Sequence, residues 1–131
     1  MKVKKICFVF AGYPYQNESN WAFVRPLVSA IADLGIECSV IAPQSVTREL
    51  YRKTKRRPVF WIDTTDANNN INVYQPLIVT LSNTFNTFNH FMFRNAVKWV
   101  IGKYNLRPDL IYSHFWENAV VVSSVLPEIP H

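Results

Sequence analysis

The chain has 131 residues and a formal net charge of +5, with 14 Lys and Arg against 9 Asp and Glu. Its hydrophobic fraction of 49% and charged fraction of 18% exclude intrinsic disorder, and its length fits one domain with a buried core. Only three glycines are present, which excludes collagen-like and Gly-rich chains and disfavours most phosphate-binding loops.

Cysteine usage and the amino terminus indicate the compartment. Cys7 and Cys38 each lie inside an apolar run, which predicts two reduced core thiols and neither a disulfide nor a metal site. The apolar stretch 6–11 is too short for a signal-peptide core, and no window reaches the roughly 18 apolar residues of a membrane-spanning helix. We therefore predict a cytoplasmic protein, peripheral to the inner face of the membrane if it contacts a membrane.

The first third of the chain predicts a strand, a helix and a second strand. The continuous apolar runs 3–10 and 36–42 are typical of strands that are buried on both faces of a parallel sheet. Between them, apolar residues recur every three or four positions over 20–34, which predicts an amphipathic helix. Pro26 can shift the start of this helix, and Gly35 is expected to end it in a left-handed conformation.

The middle of the chain is less regular. Residues 45–57 are predicted to be helical and are strongly basic. Residues 59–62 can form a short edge strand or an extended loop, and 63–70 read as a polar turn region. Residues 71–75 are predicted to be the third core strand.

The last third predicts two further helices around a fourth strand. A long helix is expected over 83–104, and Arg107-Pro108 follows its end. The fourth strand is predicted at 109–114 and a final helix at 119–125. The long helix is expected to present one apolar face made of Phe85, Phe88, Met92, Ala96, Trp99 and Val100.

This alternation predicts an α/β fold: a Rossmann-like, doubly wound parallel sheet with helices on both faces, in which the strands lie in the order third, second, first, fourth. Residues 1–131 would form one such domain. The last residues resemble a helix exit that leads towards another strand, so we expect the sheet to be incomplete at its carboxy-terminal edge. An uncovered strand at 109–113 would then be unpaired or used for self-association.

Five segments of the chain form an ordered set of motifs. They are Val-Phe-Ala-Gly-Tyr-Pro at 9–14, Glu-Ser-Asn-Trp-Ala-Phe-Val at 18–24, Leu-Gly-Ile-Glu-Cys-Ser-Val-Ile-Ala-Pro at 34–43, Ile-Asn-Val-Tyr-Gln-Pro at 71–76 and Arg-Pro-Asp-Leu-Ile-Tyr-Ser-His at 107–114. In this order and over nearly the whole chain, they resemble the amino-terminal domain of family 4 retaining glycosyltransferases of the GT-B fold.

The resemblance implies an acceptor-binding half-enzyme. In such enzymes a second, carboxy-terminal domain binds the nucleotide-sugar donor, and this chain resembles only the first domain. The implied reaction is metal-free transfer of a sugar, with retention, to a polysaccharide or glycolipid acceptor. The fragment itself is expected to hold no cofactor, to be inactive alone, and to need the missing donor domain as a partner.

One implied catalytic residue follows the fourth strand. His114 matches a family histidine near the donor sugar and the acceptor. The alternative is that His114 is a structural residue whose hydrogen bonds are made within the protein at a strand end. Trp116 either stacks on a sugar ring or packs between helix and sheet, and Glu117 follows it. These residues would meet the loop after the first strand, because the carboxyl ends of neighbouring parallel strands open into one crevice.

The loop after the first strand is predicted to supply the other substrate contacts. Gly12 and Tyr13 leave the strand, although Tyr13 can instead cover the strand end. Glu18, Ser19 and Asn20 open the first helix where the family has a glycine pair. Glu18 is also a residue that the helix dipole favours at this position for structural reasons.

The basic run has three interpretations. Its predicted membrane-facing residues are Arg52, Lys53, Arg56 and Arg57. It can be a solvated helix face, or it can bind anionic lipid headgroups, which lipid-linked acceptors favour. Nucleic acid is not expected as a partner, because Tyr51 is the only aromatic residue among these charges in the sequence.

The strongest rival function is a non-catalytic Rossmann-like or flavodoxin-like binding module. The single glycine in loop 11–20 does not match the dinucleotide fingerprint, and no phosphate-loop motif is present. The donor sugar and the acceptor do not follow from the sequence.

Overall fold

The computed structural model of the chain describes residues 2–15, 23–47, 56–81, 86–113 and 127–130. Over these ranges the protein is a mixed α/β structure with a mainly parallel central sheet and two helices. Neither described helix is both long enough and apolar enough to cross a membrane.

The order of the parallel strands is the predicted one. The central sheet has the order β4-β5-β2-β1-β7, in which only β4 runs antiparallel, and β3 pairs with β6 outside it. In chain order the elements are β1 (Lys5–Val9), α1 (Val24–Ala32), β2 (Glu37–Ile41), β3 (Gln44–Ser45), β4 (Phe60–Thr64), β5 (Asn70–Tyr74), β6 (Leu77–Ile78), α2 (Asn86–Lys103) and β7 (Leu110–Ser113).

The two helices pack on opposite faces of the sheet, since successive strand residues point to opposite sides. Phe8 and Val40 face α1, whereas Cys7, Val9 and Ile41 face α2. The predicted core thiols are confirmed, because both Cys7 and Cys38 are buried and unpaired. On the α1 side the helix contributes Val24, Val28 and Ala32, and on the α2 side it contributes Val97, Val100 and Ile101.

Helix α1 starts later than the apolar period predicts. Its first helical residue is Val24, and Phe23 precedes it without a side-chain capping bond. Pro26 falls in the first turn, where the amide groups have no partner within the helix, so the proline is tolerated there. Gly35 has a φ of 87°, which confirms the predicted left-handed exit.

The carboxyl end of α1 is attached to the turn between β4 and β5. Asp33 Oδ1 accepts hydrogen bonds from Thr65 Oγ1 at 2.7 Å and from Asn69 Nδ2 at 2.8 Å. Both bonds favour the ionised carboxylate and lower the pKa of Asp33. The edge hairpin β4–β5 is thereby fixed to a helix that lies over the centre of the sheet.

The middle of the chain differs from the prediction in two places. Of the predicted helix over 45–57, Ser45 belongs to β3, residues 46–47 are helical and 56–58 are not, so the prediction is wrong at its carboxyl end; 48–55 lie outside the described residues. The uncertain segment 59–62 is an edge strand, and it continues through Asp63 and Thr64, where a turn was expected. Antiparallel pairing with β5 overrides the polar composition there.

The buried face of α2 is rotated from the predicted one. Ala96 and Val100 are buried as expected, and Val97 and Ile101 join them. Phe88 and Trp99, however, are 38% and 44% exposed. The helix carries two apolar stripes, and the described packing against the sheet uses the more aliphatic one.

The outer side of β7 has a partner in the described residues. Ile111 N donates to Pro130 O at 2.9 Å, and Ile129 packs into the α2-side core. The expectation of a wholly unpaired edge at 109–113 is therefore corrected. The predicted helix over 119–125 lies outside the described residues.

Candidate functional site

The carboxyl ends of β1 and β7 lie side by side at one edge of the sheet. The two strands pair in parallel, with Val9 opposite Ser113. The half-buried Gly12 lies three residues after Val9, and His114 directly follows Ser113 in the sequence. The sheet thus directs both chain segments that carry the predicted site to the same edge.

Most of the predicted site residues fall in ranges that the structure does not describe. The predicted contacts of these residues with substrate or membrane stay predictions. The residues are His114, Trp116 and Glu117 after β7, Glu18, Ser19 and Asn20 before α1, and Arg52 and Lys53 in the basic run.

Tyr13 is fully buried next to this edge. Its hydroxyl donates to Asp63 Oδ2 at 2.7 Å, and its ring packs against Trp61 with a centroid distance of 5.9 Å. Burial is the main cause that raises the pKa of Tyr13 well above its ordinary value, and the hydrogen bond to Asp63 raises this pKa further. The structure therefore gives Tyr13 a packing role inside the core, and its predicted contact with substrate is not supported by this burial.

Asp63 joins three elements that are distant in sequence. Arg25 Nε donates to Asp63 Oδ2 at 2.9 Å and Arg25 Nη2 to Oδ1 at 3.0 Å, which is a bidentate pair. The hydrogen bond to Asp63 raises the pKa of Arg25 further. Asp63 thus ties the loop after β1 and the start of α1 to the outermost strand β4.

Sequence reasoning missed this cluster. The polar stretch 63–70 predicts a turn at Asp63, and no feature of the apolar helical repeat distinguishes Arg25. The sequence Phe-Trp-Ile-Asp-Thr at 60–64 does not alternate between apolar and polar residues, so no periodic signal marks Asp63.

Two buried glutamines hold together the segments that follow the carboxyl ends of β2 and β5. Gln44 Nε2 donates to the backbone oxygens of Gln75 at 2.8 Å and Arg57 at 2.7 Å, and Arg57 N donates to Gln44 Oε1 at 3.0 Å. Trp61 Nε1 donates to Gln75 Oε1 at 2.7 Å. Each glutamine stands beside a proline at a strand end, Pro43-Gln44 and Gln75-Pro76, which was the signal available in the sequence.

The end of the basic run is attached to this edge. Arg56 is exposed and Arg57 is half-buried, with the backbone of Arg57 held on both sides by Gln44. Of the predicted membrane-facing residues that the structure describes, Arg56 lies on the surface and Arg57 is partly incorporated in the fold.

An apolar pocket of about 480 Å³ lies close by, between the segment after β5 and helix α2. It is at the carboxyl side of the sheet, because Val59 pairs with Gln75 at the end of β5. Trp99 forms part of its wall and remains 44% exposed. The lining residues are Val59, Pro76, Leu77, Ile78, Met92, Asn95, Ala96 and Trp99.

This arrangement combines an apolar pocket, a basic segment and two adjacent strand ends at one edge of the sheet. Such an edge can hold a ligand that has an apolar part and an anionic part. No protein-family model matches the chain, and no curated protein is similar to it in sequence. The family resemblance therefore rests on the motifs in the sequence.

Proposed function

We propose that the chain is the acceptor-binding half of a retaining glycosyltransferase, with a Rossmann-like doubly wound fold. The donor domain would be supplied by further chain or by a second polypeptide. Together they would transfer a sugar from a nucleotide-sugar donor to a polysaccharide or glycolipid acceptor. The protein would work in the cytoplasm, at the inner face of the membrane.

The observation that carries this proposal is the pairing of β1 with β7. Because Val9 lies opposite Ser113 in parallel strands, the loop of Gly12 and the segment that begins at His114 leave the sheet at adjacent points. Ligands of open α/β sheets bind outside the carboxyl ends of the strands, where neighbouring connections diverge. This edge is where the resemblance requires an acceptor cleft.

The strand order disfavours the flavodoxin-like form of the binding-module alternative and is compatible with both the proposed function and a Rossmann-like binding module. In flavodoxin-like sheets the first strand lies between the second and the third. Here β1 lies between β2 and β7, the fourth of the parallel strands in sequence. The order third, second, first, fourth is that of half a Rossmann sheet.

The surroundings of the apolar pocket support a lipid-linked acceptor. Val59 in the pocket wall is two residues from the half-buried Arg57 and three from the exposed Arg56. An acyl or prenyl chain would occupy the pocket, and a phosphate group would lie near the basic run. The same run would bind anionic headgroups, each charge contributing about 1 kcal/mol near a membrane surface.

The proposed chemistry needs positioning more than covalent participation of the protein. The bond between the sugar and the donor diphosphate breaks, the acceptor hydroxyl forms the new glycosidic bond and loses its proton, and the nucleoside diphosphate leaves. His114 would stabilise and orient the sugar at the end of β7. Gly12 and residues 18–20 would line the opposite wall, and Trp116 would stack on the acceptor.

Ligand-observed NMR on the chain alone tests the proposal. A short-chain polyprenyl-phosphate sugar in anionic nanodiscs should show saturation transfer to its sugar protons, whereas UDP-glucose should show none. A His114→Ala variant should keep its thermal unfolding midpoint and lose part of the transfer. Tight binding of UDP-glucose, NAD or FMN by the isolated chain would contradict the proposal and favour the binding-module alternative.

A further inference from the structure

Within the described residues, one backbone edge of strand β4 has no neighbouring strand. Val59 O accepts the hydrogen bond from Gln75 N at 2.7 Å, so the pairs Trp61·Val73 and Asp63·Ile71 are the hydrogen-bonded ones in the β4–β5 ladder. The N–H and C=O groups of Phe60 and Ile62 therefore point away from β5. No other described strand pairs with β4 on that side.

The exposed side of β4 is apolar. Phe60 is 40% and Ile62 51% exposed, and both lie on the α2 face of the sheet, where Phe60 packs on Tyr74. The one charged residue of the strand, Asp63, points to the other face and is held by Arg25. Natural edge strands usually carry a lysine, a proline or an inward-pointing charge that blocks pairing. The open positions 60, 62 and 64 of β4 carry none of these, and Pro58 bounds the open stretch at its start.

The residues at the two ends of β4 have opposite charges. Arg56 precedes the strand, Asp66 follows it, and both are exposed. If two copies of β4 pair antiparallel about Ile62, Pro58 of one copy lies opposite Asp66 of the other, so the shared ladder is limited to Phe60–Thr64. Each Arg56 would then lie near the partner's Asp66, twice in one symmetric interface.

We propose that β4 pairs antiparallel with β4 of a second copy of this chain and joins the two sheets into one. A second copy fits this edge because the strand is complementary to itself in backbone, apolar side chains and charge. In this register Ile62 lies beside the partner's Ile62, and Phe60 beside the partner's Thr64. A contact of one five-residue strand is small, so the dimer should be transient, with a dissociation constant of about 10 to 100 μM.

Sedimentation velocity tests the dimer. The wild-type chain should shift from monomer to dimer between about 1 and about 200 μM. Ile62→Lys places a charge at the centre of the edge and should raise the dissociation constant at least about tenfold. Glu128→Lys is the control, because Glu128 is exposed and lies beside β7, at the opposite edge of the sheet from β4, and it should dimerise like the wild type.

A charge exchange tests the register. Asp66→Arg should weaken the dimer by about two- to fivefold, as expected for loss of exposed ion pairs. Adding Arg56→Asp to Asp66→Arg should restore the wild-type affinity, because the two ends become complementary again. Circular dichroism of each variant checks that the fold is retained.

Cross-linking gives a readout independent of affinity. In a hydrogen-bonded antiparallel pair the Cα atoms lie about 5.5 Å apart, within the range of a disulfide. Ile62→Cys should therefore form a covalent dimer under mild oxidation, and Glu128→Cys, at the opposite edge of the sheet, should not. A monomer at all concentrations, dimerisation unaffected by Ile62→Lys, or equal cross-linking of the two cysteine variants would overturn the proposal.

Discussion

Arg25 and Asp63, which are 38 residues apart in the chain, form a bidentate ion pair between the first turn of α1 and the edge strand β4. The side chain of Asp63 is 10% exposed, whereas that of Arg25 is 45% exposed. The pair is therefore buried on its acidic side, where loss of the partner is most costly.

Asp63→Asn should lower the free energy of unfolding by about 1 to 3 kcal/mol, since the charge that receives the bonds of Arg25 and Tyr13 is removed. Tyr13→Phe should cost about 1 kcal/mol, because it removes one donor and keeps the packing. Urea unfolding measures both. Glu128→Gln, at an exposed position, is the control and should change stability by less than about 0.5 kcal/mol. Equal stability of Asp63→Asn and the control would contradict the anchoring role.

Asp109 predicts a dependence of stability on acid pH. Its Oδ2 accepts bonds from Lys4 N at 2.9 Å and Lys5 N at 3.0 Å, and these bonds lower the pKa of Asp109 below its ordinary value of 3.8. A lowered folded-state pKa stabilises the protein above pH 3.8, and this contribution is lost as the pH falls through the folded-state pKa.

Asp109→Asn should thus be less stable than the wild type at pH 7, and the difference in free energy of unfolding should shrink as the pH falls below 3.8. Denaturant unfolding at a series of pH values measures this difference. A gap between the two proteins that stays constant from neutral to acid pH would show that Asp109 acts by packing alone.

The two thiols should be unreactive in the folded protein. Burial raises the pKa of Cys7 to about 12 and that of Cys38 to about 11, so almost no thiolate exists at neutral pH. Iodoacetamide at pH 8 should label neither cysteine at an appreciable rate, and both should be labelled after unfolding in guanidinium chloride. Rapid labelling of native Cys7 would indicate that α2 opens from the sheet.

Gln44→Leu should detach the end of the basic run. The substitution removes three hydrogen bonds to the backbone of Arg57 and Gln75, and should cost about 2 to 3 kcal/mol. Hydrogen exchange of the Arg57 amide should accelerate more than that of the core of β1. Asn95→Leu, at an exposed position of α2, should leave the exchange of Arg57 unchanged.

The basic run should bind anionic vesicles in a salt-dependent way. Replacing Arg52, Lys53, Arg56 and Arg57 by Gln should reduce cosedimentation with phosphatidylglycerol vesicles by more than about tenfold, at about 1 kcal/mol per charge. High salt should weaken the binding of the wild-type chain to these vesicles to a similar extent. The control removes the same charge elsewhere, at Lys2, Lys4, Lys98 and Lys103. If the two variants lose vesicle binding equally, only the net charge of the chain matters and the basic run has no specific role.

The strand order could be predicted because each parallel strand is a short apolar run separated by a helical repeat or a proline. The same local patterns could not identify the Asp63 cluster, since its three partners meet only after β4 has paired at the far edge of the sheet. Nor could they decide which stripe of α2 is buried, because Phe88 and Trp99 are as apolar as Val97 and Ile101. The two stripes are equally hydrophobic in composition, so the stripe that is buried depends on how the helix packs against the sheet.

Tyr13 shows why the surroundings of a predicted site residue do not follow from the sequence. Its position after β1 suggested a cleft residue, but the loop turns across the sheet and places the ring against Trp61. The direction in which a loop leaves a strand depends on contacts that are remote in sequence. The substrate contacts proposed for Glu18, Ser19 and Asn20, which lie outside the described residues, stay predictions.

The attachment of α1 at both ends has a kinetic consequence. Arg25 holds β4 at one end of the helix, and Asp33 holds the turn of the same hairpin at the other. Neither set of bonds can form until two segments more than 30 residues apart have met, so the hairpin gains little from these contacts early in folding. Helix α1 and the β4–β5 hairpin should consequently fold and open as one cooperative unit, although β2 separates them in the chain.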